Sequence, residues 1–164
     1  MSQVIKFSNN DGNVKNVLYI GDDSHYWDNI KKTFEKTYSL SNFLYYQYET
    51  DKTLSYKVFF HKAYDFLPSI IYIDLSKDTV RMLKLARLIS REIKFSTSCI
   101  VGLVDGKRGL FEALAANCDY VHVKCGEFHD VVYGPVRLTF PHVAKEPQFA
   151  RAITEEKDEV LYPA

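Results

Sequence analysis

The sequence has no long hydrophobic run and no excess of charge of either sign, and each absence narrows the possible functions. No stretch approaches the ~18 consecutive apolar residues that a membrane-spanning helix needs. The start, Met1 to Lys6, lacks the apolar core of a signal peptide, so we expect a cytoplasmic protein. The 21 Lys and Arg residues balance the 21 Asp and Glu residues. Because no global field then favours nucleic acid or an anionic membrane, the expected partner is another protein or a small ion.

Cysteine and histidine are too sparse to predict a disulfide framework or a zinc site. The three cysteines, Cys99, Cys118 and Cys125, are an odd number without C-x-x-C spacing. Free thiols are therefore the expected state. The five histidines are scattered without the spacing of metal ligands, and we assign none of them chemistry.

The sequence is instead rich in short apolar runs of strand length. Hydrophobic residues make up 46% of the chain and aromatic residues 15%, which is enough for a packed core. Four runs are nearly continuous in apolar character, as in strands buried on both faces of a parallel sheet. They cover residues 17–20, 70–73, 99–104 and 120–123. A weaker run over residues 43–48 indicates an edge strand.

Between these runs, apolar residues spaced three and four apart predict amphipathic helices. The predicted helical faces contain Trp27, Ile30 and Phe34, then Val58, Phe59, Ala63 and Phe66, then Met82 to Ile89, then Leu110, Phe111, Leu114 and Ala115. A further helix is expected from about Glu127 to Val132, with Gly134-Pro135 interrupting or kinking it. Strands that alternate with helices form right-handed βαβ units. The predicted fold is α/β, a flavodoxin-like (βα)5 doubly wound parallel sheet with strand order 2-1-3-4-5.

The pattern divides the chain into one domain, residues 1–140, and a short extension. After Phe140 the alternation gives way to Pro141, Pro147 and a charged run. We interpret residues 141–164 as a linker or extension that leads to an effector domain missing from this chain.

Acidic residues follow two strands that are neighbours in the predicted order. Asp22 and Asp23 come after the first strand, and Asp74 follows the third. Ligands of such sheets bind at the carboxyl edge where the strand order reverses, between these two strands. Clustered carboxylates repel one another until a cation neutralises them, and oxygen ligands suit Mg²⁺. Lys124, at the end of the fifth strand, is placed to reach the same crevice.

These four residues at these strand ends resemble the response-regulator receiver domains of two-component signalling, over roughly residues 16–140. The resemblance implies that Asp74 is the phosphoacceptor and that Lys124 contacts the phosphoryl group. It also implies that Asp22 and Asp23 bind Mg²⁺ together with Asp74, Asp23 directly, and that the Ser76 backbone carbonyl completes the metal shell. Enzymatic activity would not go beyond self-phosphorylation and autodephosphorylation.

The same resemblance implies partners. We expect a histidine kinase or phosphotransfer protein as the source of the phosphoryl group, and a downstream effector domain as the output. No direct contact with nucleic acid or a membrane is expected. Receivers commonly form homodimers through a face that includes the fourth helix, where Leu110, Phe111 and Leu114 lie. Burial of these side chains in the core is the equally weighted alternative.

The sequence departs from the receiver pattern at the positions that transmit the signal. Receivers usually end the fourth strand in Ser or Thr, but that position falls here on Val104 or Asp105, without a neutral hydroxyl. An inward-pointing Asp105 would repel a phosphoryl group. The aromatic switch residue of the fifth strand is either Tyr120 or is lost to Val121.

Two alternative functions follow from these departures. One is a pseudo-receiver, a phosphorylation-independent dimerisation or docking module with a vestigial acidic pocket. The other is an aspartate-nucleophile phosphohydrolase, which we disfavour because such enzymes need a second acid two residues after the nucleophile, where this chain has Ser76.

Overall fold

The computed structural model describes residues 14–50 and 55–144, in which strands and helices alternate along the chain. The strands are β1 (Val14–Ile20), β2 (Asn42–Tyr48), β3 (Ile70–Asp74), β4 (Cys99–Val104) and β5 (Tyr120–Val123). The α-helices are α1 (Ser24–Thr37), α2 (Tyr56–Phe66), α3 (Thr79–Arg91), α4 (Lys107–Ala115), α5 (His129–Thr139) and the one-turn α6 (Pro141–Ala144). A short 3-10 helix, Ile93–Phe95, follows α3.

The strands form one parallel sheet in the order β2-β1-β3-β4-β5. This arrangement confirms the predicted flavodoxin-like topology, and β2 lies at the edge as its weaker apolar character indicated. In the register of the sheet Tyr19 of β1 lies opposite Tyr72 of β3, and Asp74 lies opposite Leu103 of β4. The carboxyl ends of β1, β3 and β5 therefore meet at one edge of the sheet.

The sheet carries a different kind of core on each face. Helices α1 and α5 cover one face, whose buried side chains include many aromatic rings, among them Tyr19, Trp27, Phe34 and Tyr72. Helices α2, α3 and α4 cover the other face, where aliphatic side chains of β1, β3 and β4 dominate. Because strand side chains alternate between faces, residues two apart share a face.

Helix α5 differs from the prediction, since it continues through Gly134-Pro135 to Thr139 instead of ending near Val132. A proline inside a helix normally leaves the carbonyl four residues earlier without its donor. Here that carbonyl belongs to Val131, and the hydroxyl of Tyr72 donates a hydrogen bond to it at 2.7 Å. A distant side chain thus replaces the missing N–H, which sequence spacing alone did not reveal.

The structure also describes the beginning of the predicted extension. Val143 of α6 is fully buried and belongs to the core on the α1 and α5 face. The remainder of the extension, residues 145–164, lies outside the described residues. Within residues 14–50 and 55–144, no helix has the length and apolar character to cross a membrane.

Candidate functional site

The edge of the sheet where β1 and β3 end brings together Asp23, Asp74 and Lys124. Asp74 is the last residue of β3, and Lys124 directly follows β5. The Lys124 N–H donates to the carbonyl of Val104 at 2.8 Å, which fixes the start of the lysine side chain at this edge. Its Nζ lies 3.0 Å from Asp23 Oδ2 and 3.0 Å from Asp74 Oδ2. One ammonium group therefore bridges two carboxylates.

Asp74 is the most enclosed member of this cluster, with a side chain only 7% exposed. Its Oδ1 accepts hydrogen bonds from the backbone N–H of Ser76 at 3.0 Å and from the Ser76 hydroxyl at 2.5 Å. Its Oδ2 accepts from Lys124 and from the hydroxyl of Tyr19, each at 3.0 Å. A buried carboxylate is costly unless its oxygens are paired, and here each oxygen accepts two hydrogen bonds.

Asp23 is more exposed and has a second task, since it caps the amino terminus of α1. Its Oδ1 accepts from the backbone N–H of Tyr26 at 3.1 Å, which satisfies a donor that the first helical turn leaves free. Partial burial tends to raise the pKa of Asp23, but the hydrogen bonds from Lys124 and Tyr26 outweigh it and lower the pKa below its usual value. Burial likewise opposes the charge of Lys124, and its bonds to the two carboxylates raise its pKa nonetheless.

Asp22 does not join the cluster, in contrast to the predicted role as a metal ligand. Its side chain is exposed, and Oδ1 accepts from the backbone N–H of Thr50 at 2.7 Å. The cause lies in the turn after β1. The N–H of Gly21 still pairs with the carbonyl of Tyr48 in β2 at 3.1 Å, so the following residue is directed toward the β2 side.

The residues considered for signal transmission, Val104, Asp105 and Tyr120, make no described hydrogen bond or ion pair with Asp74. Val104 is buried on the face covered by α2, α3 and α4. Asp105 is exposed and, among the described residues, makes no hydrogen bond or ion pair, so its placement does not support repulsion inside the site. Tyr120 packs toward α5, where its hydroxyl donates to the carbonyl of Asp130 at 3.2 Å. Ser76 contacts Asp74 through its N–H and hydroxyl, while a role for its carbonyl stays a prediction.

Tyr19 is a member of the site that the sequence analysis missed. Its hydroxyl donates to Asp74 Oδ2 and lies 3.3 Å from the backbone N–H of Asp23, which donates to it. Burial, followed by the negative charge of Asp74, raises the pKa of Tyr19 above its usual range. The available signal was the hydroxyl itself, because a tyrosine within a buried strand needs a polar partner.

The structure brings together two carboxylates that could serve as Mg²⁺ ligands, Asp23 and Asp74, which is fewer than predicted. Within the described residues no group of three or more acidic, His or Cys side chains is placed to hold a metal. An ammonium nevertheless lies between Asp23 and Asp74, which shows that the two carboxylates can share a cation. Mg²⁺ is often bound by one or two carboxylates and completes its shell with water or phosphate oxygens.

The fold is that of response-regulator receiver domains. The signal receiver domain of a DNA-binding response regulator from Colwellia psychrerythraea is 12% identical, with a TM-score of 0.58 over 76% of this chain and 97% of that chain. The CheY-like protein TadZ from Pseudomonas aeruginosa is 15% identical, with a TM-score of 0.57 over 75% of this chain and 97% of that chain.

A third similar structure is the response regulator DrrB of Thermotoga maritima, which is 11% identical with a TM-score of 0.58. The match covers 79% of this chain and 54% of that chain. At these identities the similarity establishes the fold. No family model and no curated protein match the sequence.

Proposed function

We propose that this chain is a phosphoacceptor receiver domain of a cytoplasmic two-component signalling protein. In this proposal Asp74 accepts a phosphoryl group and so regulates an attached or partner output. One observation carries it: the carboxylate of Asp74 stands at the carboxyl edge of β3, with the ammonium of Lys124 at 3.0 Å. A carboxylate nucleophile beside a cation is the minimum that formation of an aspartyl phosphate requires.

The reaction needs little from the protein beyond placement and charge. A carboxylate oxygen of Asp74 attacks the phosphorus of a phosphohistidine on a kinase or phosphotransfer protein. The P–N bond breaks, its electron pair stays with the histidine nitrogen, and Asp74 becomes an acyl phosphate. Lys124 offsets the charge of the phosphoryl oxygens. Mg²⁺ held by Asp23 and Asp74 would add further charge neutralisation.

Return to the resting state follows from the same groups. Attack of water on the phosphorus releases inorganic phosphate and restores the Asp74 carboxylate, while Lys124 again pairs with it. In this cycle the chain acts as a switch and not as an enzyme on a separate substrate.

Incubation with acetyl phosphate and Mg²⁺, followed by intact-mass measurement, tests this function. We expect a mass increase of one phosphoryl group on the wild-type protein and none on Asp74→Asn. Asp22→Asn is the matched control, because Asp22 is exposed and bonded to Thr50 instead of to the cluster. It should retain the adduct. An adduct that survives in Asp74→Asn, or none with several small phosphodonors, would contradict the proposal.

The second candidate function is a pseudo-receiver that docks or dimerises without phosphorylation. The observation that favours it is the internal pairing of Asp74, whose oxygens already accept bonds from Tyr19, Ser76 and Lys124. Such a site is neutralised without a metal. Absence of any adduct, together with unfolding that does not respond to Mg²⁺, would favour this candidate over the first.

A homodimer is proposed through the outer face of α4. Phe111 is 77% exposed and Leu114 is 57% exposed, while Leu110 is half-buried against the core. Two of the three side chains are therefore available to a second copy of the chain. Light scattering at high protein concentration should show a dimer that Phe111→Glu weakens, and a strict monomer would remove the idea.

A further inference from the structure

The hydroxyl of Tyr19 links the two carboxylate-bearing segments of the site independently of Lys124. It donates to Asp74 Oδ2 at 3.0 Å and accepts from the backbone N–H of Asp23 at 3.3 Å. Asp74 ends β3, whereas Asp23 caps α1. A single hydroxyl group therefore joins the proposed phosphoacceptor to the first turn of α1.

The position of this hydroxyl depends on the absence of a side chain at residue 21. A Cβ atom on Gly21 would lie 2.7 Å from the Tyr19 hydroxyl oxygen and 2.9 Å from Asp74 Cβ. Both distances are too short for non-bonded atoms, so only glycine permits the contact. The Tyr19 hydroxyl thus occupies the space that a side chain at position 21 would otherwise fill.

The Tyr19 ring packs closely against an aromatic side chain of α1. It stacks on Trp27 with ring centroids 5.2 Å apart and an interplanar angle of 10°. Trp27 is 2% exposed and packs edge-on against Tyr45. Close-packed interiors transmit small displacements, because no void absorbs them. A shift of the Tyr19 ring therefore displaces Trp27, which belongs to α1.

The bond between Tyr19 and Asp74 depends on the charge of the carboxylate. A charged acceptor forms a stronger hydrogen bond than a neutral one. Conversion of Asp74 to an acyl phosphate moves the negative charge from the carboxylate to the phosphoryl oxygens, and conversion to an amide removes it. In both cases the acceptor that Tyr19 meets at the carboxyl group becomes neutral, so the buried hydroxyl must weaken its bond or turn to another acceptor. The consequence reaches Asp23 and Trp27 through the contacts described above.

We propose that Tyr19 is a positioning residue that couples the state of Asp74 to the first turn of α1, so that a signal leaves the site toward α1 and not toward α4. The route toward α4 lacks the side chains that would carry a signal. Val104 has no hydroxyl to follow a phosphoryl group, and Tyr120 is engaged with α5. The natural trigger rests on the proposed function, but the coupling itself depends only on the charge of Asp74.

Fluorescence of Trp27 tests the coupling, because it is the only tryptophan in the chain. Emission is compared between wild type, Asp74→Asn, Tyr19→Phe and the double variant, in the full chain without phosphodonor. We expect Asp74→Asn to change the emission in the Tyr19 background and to change it by less than half as much in the Tyr19→Phe background. Equal changes in both backgrounds, or no change in either, would overturn the proposal. Asp22→Asn should leave the emission unaltered.

A second measurement protects the test against loss of packing in Tyr19→Phe. Amide NMR spectra of wild type and Asp74→Asn should differ more at Asp23 and the first turn of α1 than over α4, and this difference should shrink in the Tyr19→Phe background, where the Lys124 bridge remains. The opposite distribution would refute the route. Addition of beryllium fluoride with Mg²⁺ separates the proposed phosphorylation from the proposed coupling. A spectrum that does not change on this addition contradicts phosphorylation of Asp74, whereas the comparison with Asp74→Asn still tests the coupling through Tyr19.

Discussion

Replacement of Lys124 by methionine removes the cation from between two carboxylates, and the structure sets the size of the effect. Hydrogen bonds to charged groups typically contribute about 1.5–3 kcal/mol each. Asp23 is 37% exposed, so it regains water and its share is small. Asp74 is 7% exposed and cannot regain water in the same way, but it keeps its hydrogen bonds from Tyr19 and Ser76. We therefore expect the free energy of unfolding to fall by about 2–3 kcal/mol.

Urea unfolding followed by circular dichroism measures this loss. Lys31→Met is the matched control, because Lys31 forms an exposed helical pair with Asp28 at 3.3 Å. Removing it should cost no more than about 0.5 kcal/mol. Mg²⁺ should restore part of the stability of Lys124→Met, since a cation that binds only the folded state stabilises it. A loss no larger than that of the control would refute the view that the ammonium neutralises Asp74.

Three further predictions concern the core, the thiols and the response to acid. Tyr72→Phe should lower the free energy of unfolding by about 1–3 kcal/mol in urea, because it leaves the Val131 carbonyl buried without its donor. Burial raises the pKa of the Cys99 thiol to about 11 and that of the Cys118 thiol to about 12, whereas Cys125 is exposed. A thiol reagent near neutral pH should therefore label Cys125 alone until the protein unfolds. Because the pKa of Asp23 is lower in the folded state, its carboxylate stabilises the fold at pH values above the ordinary pKa of an Asp. This stabilisation is lost as the pH falls through the folded-state pKa. Asp23→Asn, which keeps a good helix cap, should flatten this acid dependence of unfolding.

The sequence predicted the location of those site residues that stand at the ends of strands. Asp74 ends a fully buried strand and Lys124 directly follows the half-buried β5, and parallel strands bring such ends to one edge. Strand ends alone do not separate the roles of Asp22 and Asp23, and only the resemblance to receiver domains indicated Asp23 as the direct ligand. Which of two adjacent carboxylates enters a site depends on the backbone path of the turn, and that path is set by the pairing of Gly21 with Tyr48.

Polar contacts between distant residues were the other feature that spacing did not predict. Tyr19 and Tyr72 lie in runs whose apolar character alone indicated buried strands, and each hydroxyl has a partner more than fifty residues away. Proline normally ends a helix, yet the bond from Tyr72 to Val131 makes α5 tolerate Pro135. Periodicity reports which face of an element is buried, and it does not report which distant atom satisfies a polar group.

Gly21 directly follows β1, and a Cβ atom there would meet the Tyr19 side chain and Asp74 Cβ in the same small volume. A side chain at position 21 therefore meets two obstacles: a smaller residue at position 19 removes the contact with the hydroxyl, and the backbone must still shift slightly to clear Asp74 Cβ. Gly21→Asp combined with Tyr19→Val would exchange the tyrosine hydroxyl for a third carboxylate next to Asp74. The pair is thus a point at which the site could be re-engineered from one built around an internal hydroxyl donor to one that demands an external cation.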